Sequence, residues 1–241
     1  MNNKKREGNY TSSKISKLCM SNKKGDDFGA PAFTYIEEKR IESKMKRCLD
    51  VGAYSRAIAW GEFMEMIVFN VLGTDYVITS KETDRHPTIK RWSGSKDYHK
   101  TKDGKMYCIG DMKCYEPKKF AQYTECLLKK DIGFMKANFP GEYWQLVSNA
   151  IINGVDYVEA ITFMPKEDDM PEIRQIAENY DGPDQWKYRF IYESPISDLS
   201  VLPQSSGYES VNKFEFLVPE EDKIFLTERV EKAILLLEFE L

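Results

Sequence analysis

In Asp111-Met112-Lys113 a carboxylate and an ammonium stand two residues apart, behind the mostly apolar run Met106-Tyr107-Cys108-Ile109-Gly110. On a strand, side chains alternate, so Asp111 and Lys113 share one face and Met112 takes the other. Asp97 lies one hairpin earlier, because Asp103-Gly104 is a two-residue turn signal. Counting back across that turn sets Asp97 near Asp111 on the neighbouring strand. Two carboxylates so placed repel unless a cation lies between them. Hard divalent ions that prefer oxygen, Mg²⁺ or Mn²⁺, are the natural occupants. Lys113 can then orient or deprotonate a water held by the metal, the outline of metal-assisted phosphodiester hydrolysis. The plain alternative is a hairpin with solvated charges on both arms and a weak surface ion pair.

Two further side chains join this set. Around Glu65, at helical spacing, stand Ile58, Gly61, Val68, Phe69 and Leu72, so Glu65 interrupts an apolar stripe. A carboxylate there is costly unless it is paired or near a metal. Glu62, one turn earlier, competes for the role. Gly61 in mid-helix costs about 1 kcal/mol against Ala, which close approach of backbone or substrate would explain. Gln145, in Tyr143-Trp144-Gln145, is placed on a helix from which it could hold a water or a phosphate oxygen. A Gln on a helix is ordinarily just solvated.

The elements that must position these groups read as alternating helices and strands. Residues 32–49, 53–72, 118–130, 141–153 and 219–239 read as helices, the second ended by Gly73. Residues 76–79, 106–113, 155–164 and 186–193 read as strands, with broken strands and turns over 81–105. Residues 1–30 read as loop around a short helix, and an acidic loop follows Pro165. This order means α/β or α+β, a central mixed sheet flanked by helices. One domain over 1–241 is expected, with a basic segment over 1–30, a variable region over 166–220 and a last helix over 221–240.

Composition narrows the class. The 241 residues are 41% hydrophobic and 13% aromatic, which excludes disorder over most of the chain. No apolar run approaches the roughly 18 residues of a membrane span, so no membrane partner is expected. The N-terminus has charge but no apolar stretch behind it, unlike a secretory signal. Five cysteines without a CxxC pair argue against a disulfide framework or a four-cysteine zinc site. A soluble, cytoplasmic protein is the expectation. The net charge of −4 conceals polarity. Residues 1–25 carry seven bases and one acid, residues 81–105 eight bases and four acids, and residues 215–241 eight acids and three bases. The local field, not the sum, decides whether a polyanion can bind.

The order Glu65, Asp97, Asp111-x-Lys113, Gln145 resembles the PD-(D/E)xK nuclease superfamily, whose core is the restriction-endonuclease-like fold. More narrowly it is similar to the lambda exonuclease and YqaJ viral recombinase branch. AIAWGEFMEMIVF (57–69) resembles that branch's WGxxxE helix, which sets the family acid on Glu65. GEYWQLVSNAIINGVDYVEAITFMP (141–165) resembles its helix–strand segment with the Gln and a closing Pro. YTSSKISKLC (10–19) and FGAPAFTYIEEK (28–39) resemble its opening segment. The chain has Ser95-Lys96-Asp97-Tyr98 where the family has Pro-Asp-Gly, and Asp111 where the branch usually has Glu.

The resemblance implies a metal-dependent deoxyribonuclease, of the kind that digests duplex DNA ends 5′→3′ in phage recombination. Asp97, Asp111 and the Met112 carbonyl would hold one or two Mg²⁺ (or Mn²⁺), with Glu65 on a metal-bound water. Lys113 would activate the nucleophile and Gln145 would position it. Some relatives carry a 4Fe–4S cluster with three Cys after the site. Only Cys114 and Cys126 follow here, so no iron–sulfur cluster is expected. Relatives work beside a single-strand annealing protein and some form homo-oligomeric rings. In the family-like layout the two basic segments flank the acids. Ser12, Ser13 and Lys14, read as a Ser-capped helix start, are then expected to contact DNA, with Arg56 and Tyr143. An endonuclease on the same core and a non-catalytic DNA-binding relative remain the alternatives, and beyond them an unrelated protein in which the Asp111–Lys113 pair is a surface ion pair.

Overall fold

Described over residues 7–25, 27–49, 54–79 and 83–239, the computed structural model alternates helices and short strands. Strand β1 (Tyr10–Thr11) leads through a 3-10 turn, Ser12–Lys14, into α1 (Ser16–Cys19), α2 (Ala30–Met45) and α3 (Arg56–Leu72). Strands β2 (Tyr76–Ile78), β3 (Asp84–Arg85) and β4 (Trp92–Gly94) precede the hairpin of β5 (Tyr98–Lys102) and β6 (Lys105–Lys113). Helices α4 (Pro117–Lys129), α5 (Ile132–Asn138) and α6 (Pro140–Asn153) lead to β7 (Tyr157–Phe163). Then come α7 (Met170–Glu178), a 3-10 turn at Gln185–Tyr188, α8 (Arg189–Glu193), β8 (Val211–Leu217) and α9 (Glu220–Phe239). The expected basic residues Lys4, Lys5 and Arg6, the expected helix start at Ala53, and Lys81, Glu82 and Glu240 lie outside the described residues.

The main sheet runs β2-β5-β6-β7-β8 and is mixed, because β6 and β7 are parallel while every other pair is antiparallel. Asp103 and Gly104 both take positive φ, 52° and 73°, the two-residue turn whose twist suits a hairpin. A parallel neighbour cannot be reached by a tight turn, and here α4, α5 and α6 make the crossover from β6 to β7. Strand β6 is therefore central, and its second half is buried on both faces. A small sheet, β1-β4-β3, ties the N-terminal segment to the domain, with Tyr10 in register with Trp92.

The main sheet separates two cores. On one face Ile109, Val158, Ala160, Phe214 and Phe216 pack with Tyr143, Leu146 and Val147 of α6 and with α9. On the other, Tyr98, Met112, Ile161 and Phe163 pack with Trp60, Phe63, Met64 and Val68 of α3 and with α7 and α8. Asp111 and Lys113 thus belong to the α6 face, while α3 closes the other side at the same end of β6.

Besides α5, unassigned from sequence, three elements differ from the sequence reading. Residues 186–193 form a 3-10 turn and α8 instead of a strand, because Tyr188 and Ile191, three apart, are the residues that bury. The acidic loop after Pro165 is a 3-10 turn, Glu167–Asp169, followed by α7, whose Pro171 sits in the first turn, where no N–H is missed. Strand β8, unassigned from sequence, buries Asn212, Phe214 and Phe216 and exposes the alternate residues, the period-2 pattern of a half-covered strand.

Candidate active site

Alternation along β6 turns Asp111 and Lys113 to one face, where the Lys113 ammonium lies 2.8 Å from Asp111 Oδ2. Helix α6 lays Gln145 over both: its Nε2 donates to Asp111 Oδ1 at 2.5 Å and its Oε1 accepts from Lys113 at 3.3 Å. Asp97, just ahead of β5, is fixed twice to β6. Its N–H donates to the Gly110 carbonyl at 3.0 Å, and its carboxylate accepts the Met112 N–H at 2.7 Å. The Ser95-Lys96-Asp97 loop has its own supports. Asn149 donates to the Ser95 carbonyl, Thr79 to the Lys96 carbonyl, and Lys96 pairs with Asp84 at 2.6 Å.

Helix α3 contributes Glu65 from a position beside its buried face, which is formed by Ala59, Trp60, Phe63, Met64, Ile67 and Val68. The stripe expected around Glu65 is displaced, since Ile58 is half exposed. Gly61 needs no close approach either, because a Cβ there meets only the Cys114 carbonyl oxygen at an ordinary 3.8 Å. Glu65 and Glu62 are equally half-buried, so exposure does not separate them. Their surroundings do. Glu65 acts on Asp97, Lys113 and Cys114, whereas Glu62 acts on Lys187.

The electrostatics follow from burial and crowding. Burial, then the charges of Asp111 and Glu65, raise Asp97 to about 8, against the pull of Lys113 and the Met112 N–H. Burial also raises Asp111, although Lys113 and Gln145 favour its ionised form. For Lys113 burial works against the charge, but Asp111, Asp97 and Glu65 overcome it and hold the ammonium above its ordinary range. The carboxylates of the site outnumber its one lysine, so that a proton on Asp97 or a cation must balance the remaining charge. Among the described residues, no three or more His, Cys, Asp or Glu side chains stand together so as to hold a metal ion. Mg²⁺ does not require one, since it commonly binds through one or two carboxylates and keeps several waters. Two carboxylates, Asp97 and Asp111, are present at this end of β6.

The residues expected to contact DNA divide. Ser12 is buried, its hydroxyl 2.8 Å from that of Ser148 on α6, so it braces the N-terminal segment instead of facing a ligand. It does not cap a helix, because Thr11 occupies the cap position and makes no side-chain cap bond. Tyr143 is also corrected: it is wholly buried, stacked on Phe216, with its hydroxyl donating to Asp222 at 2.5 Å. Position 143 falls on the core face of α6, two residues from Gln145. Ser13 and Arg56 are exposed, and Lys14 is half-buried with Glu38 at 3.5 Å.

A layer behind the acids escaped the sequence reading. The Tyr98 ring lies across Gly110, where a Cβ would come within 1.8 Å of Tyr98 Cζ. Beyond it the Tyr98 hydroxyl donates to Glu159 at 2.7 Å, and Lys100 bridges Glu159 and Glu215 at 2.7 and 2.6 Å. This layer fixes β5 against β6 one residue from Asp97 and Asp111. The available signal was Gly110 inside an otherwise apolar strand, a mark of close approach.

No family model matches the chain, and no curated protein sequence matches it. Solved structures do. The alkaline exonuclease LHK-Exo from Laribacter hongkongensis is 13% identical with a TM-score of 0.63, over 98% of this chain and 91% of that one. The same enzyme in complex with dAMP gives 12% and 0.64, over 99% and 92%. A phage-related exonuclease from Haemophilus somnus 129PT gives 13% and 0.54, over 93% and 91%. The chain thus has the fold of these exonucleases along nearly its whole length.

Proposed function

We propose that this protein is a metal-dependent deoxyribonuclease that hydrolyses phosphodiester bonds, in its finer form a 5′→3′ exonuclease acting on duplex ends in phage-type recombination. The observation that carries the proposal is the convergence of Asp97, Asp111, Lys113 and Gln145 at one end of β6, where the charge of Glu65 on α3 also acts. Convergence of carboxylates with one lysine suits chemistry that needs a cation and a proton carrier at the same point. The likeness to an alkaline exonuclease and a phage-related exonuclease supports DNA as the substrate.

Each residue has a part in this reading. Asp97 and Asp111, with the Met112 carbonyl, would hold Mg²⁺ or Mn²⁺, which would supply an activated water and positive charge for the phosphate. Gln145, already bonded to both Asp111 and Lys113, orients them and the incoming oxygen. Lys113 holds or moves a proton at its Nζ and offers positive charge to the phosphate. Glu65 accepts a hydrogen bond from water on the α3 side. A single-strand annealing protein as partner, a homo-oligomeric ring and a cytoplasmic setting belong to the same reading and rest on the family resemblance.

The test is incubation with linear and with circular duplex DNA, each in Mg²⁺ and in EDTA. Degradation of linear DNA alone, in Mg²⁺ alone, is the expected result. Cleavage of the circle selects the endonuclease, and no cleavage of either removes the reading.

A further inference from the structure

Of the four tryptophans, Trp60, Trp92 and Trp144 are at most 5% exposed, whereas Trp186 is 61% exposed. It stands on the 3-10 turn Gln185–Tyr188, which Asp184 enters with a φ of 63°. Its ring lies 4.9 Å from that of Tyr54, itself 47% exposed, and the Tyr54 hydroxyl donates to the Lys187 carbonyl at 3.3 Å. The two rings are held together at the surface, at the N-terminal end of α3. The turn is anchored beneath by Tyr188, whose ring packs 5.1 Å from that of Phe63.

Position and charge say what the rings meet. Tyr54 stands just ahead of the Ser55 N-cap, and along α3 Ile58, Glu62 and Glu65 follow at steps of four and three residues on one side of the helix. Arg56 to Glu65 is nine residues, about 13.5 Å at about 1.5 Å per residue, or about four base steps of about 3.4 Å. Arg56 is exposed, its guanidinium 5.6 Å from the Phe190 ring, and it makes no ion pair among the described residues. Lys187 and Arg189 flank the rings, each paired with an acid, Lys187 with Asp184 at 2.8 Å and Arg189 with Glu193 at 2.5 Å, so Arg56 is the cation here that makes no ion pair among the described residues. Aromatic faces beside the Arg56 guanidinium, on the helix that carries Glu65, match stacked bases on an anionic backbone. A protein partner would instead call for a broad apolar core with a polar rim.

We infer that Trp186 and Tyr54 form a stacking platform for an unpaired base of the DNA substrate, so that the enzyme engages a single-stranded end beside its cutting site. The inference rests on the nuclease reading but is separable from it. Stacking is sequence-tolerant, because every base has a π-face, and contributes roughly 1–3 kcal/mol per base. Removal of one ring should therefore weaken binding to tailed DNA about tenfold, at 1.4 kcal/mol per factor of ten.

Since the other tryptophans are buried, acrylamide-accessible emission reports Trp186. The experiment uses the full chain in EDTA with oligo(dT), then blunt and tailed duplexes. Bound oligo(dT) should shield the accessible emission, and Trp186→Phe should lose that signal while binding within a few-fold of wild type. Trp186→Ala should bind tailed duplex about tenfold more weakly and blunt duplex nearly as before. The cleavage assay in Mg²⁺ with wild type runs alongside. If wild type cuts DNA but its emission ignores oligo(dT), or Trp186→Ala binds tailed duplex like wild type, then the platform is wrong and the nuclease stands. An equal loss on blunt and tailed duplexes also overturns it, since the rings would then serve paired DNA. A wild type that neither cuts nor binds DNA removes both.

Discussion

Asp97 and Asp111 each stand one residue from the Tyr98–Gly110 pair of β5 and β6 and are neutralised unequally. Asp111 holds the Lys113 ammonium at 2.8 Å and the Gln145 amide at 2.5 Å. The carboxylate of Asp97 has the Met112 N–H at 2.7 Å. Its remaining charge is therefore the one least compensated, and burial with two neighbouring carboxylates raises it to about 8. The site without metal is short of positive charge on the Asp97 side.

That imbalance gives a pH dependence. An unfolded Asp titrates near 3.9, so between about pH 4 and about pH 8 the folded chain keeps a proton on Asp97 that the unfolded chain has lost. Stability without metal then falls as pH rises through this window, and Asp111, also raised, adds in the same sense. In EDTA the melting temperature of wild type should fall more steeply from pH 5 to pH 8 than that of Asp97→Asn. A divalent cation replaces the proton, so Mg²⁺ should raise the melting temperature more at pH 8 than at pH 6. Parallel curves for the two proteins would exclude Asp97 as the source.

Lys113→Ala should lower cleavage by about 10²–10⁴-fold, the span usual for loss of a proton-transfer group. DNA affinity should stay within a few-fold, since binding rests on phosphate contacts spread over the surface. Single-turnover cleavage and filter binding on the same preparation separate the two. Wild-type cleavage by the variant would leave Lys113 as a structural partner of Asp111 only.

Glu65 and Glu62 can be told apart by neutral replacement. Glu65→Gln should be inactive yet fold normally, because it removes a charge from an already crowded set. Glu62→Gln should remain active, since its charge acts on Lys187. The reverse outcome would mean that α3 presents the earlier turn to the substrate.

The site was legible in sequence where short-range rules act. Asp103-Gly104 determined the hairpin, the hairpin set Asp97 across from Asp111, and strand alternation put Lys113 beside Asp111. What was not legible depends on packing between distant segments. Ser12 and Tyr143 are types that contact phosphates readily, but Ser148, Phe216 and Asp222 bury them, over 100, 70 and 70 residues or more away. Trp186 to Glu193 alternates like a strand, yet α3 and α7 leave room only for a turn and a helix in which Tyr188 and Ile191 point inward. Periodicity over eight residues cannot choose between these.

The Tyr98–Gly110 contact offers the sharpest test of how the scaffold holds the acids. A methyl at Gly110 would lie 1.8 Å from the Tyr98 ring, so the ring must move, and with it the hydroxyl that reaches Glu159. Overpacking of this kind costs about 1–3 kcal/mol, or several degrees of melting temperature in a chain of this size. Asp97 is the residue next to Tyr98, so Gly110→Ala should also lower cleavage. Tyr98→Phe keeps the ring over Gly110 and loses only the hydroxyl's contacts with the Glu159 carboxylate and carbonyl, with Lys100 still holding Glu159; it should cost about 1–2 kcal/mol and leave cleavage nearly intact. Because the penalty of Gly110→Ala comes from one ring, Tyr98→Ala should relieve it. The double variant Gly110→Ala/Tyr98→Ala should then be more stable in urea than the sum of the single losses by about 1 kcal/mol or more. Strict additivity in that cycle would show that the ring does not set the spacing of β5 and β6 at the site.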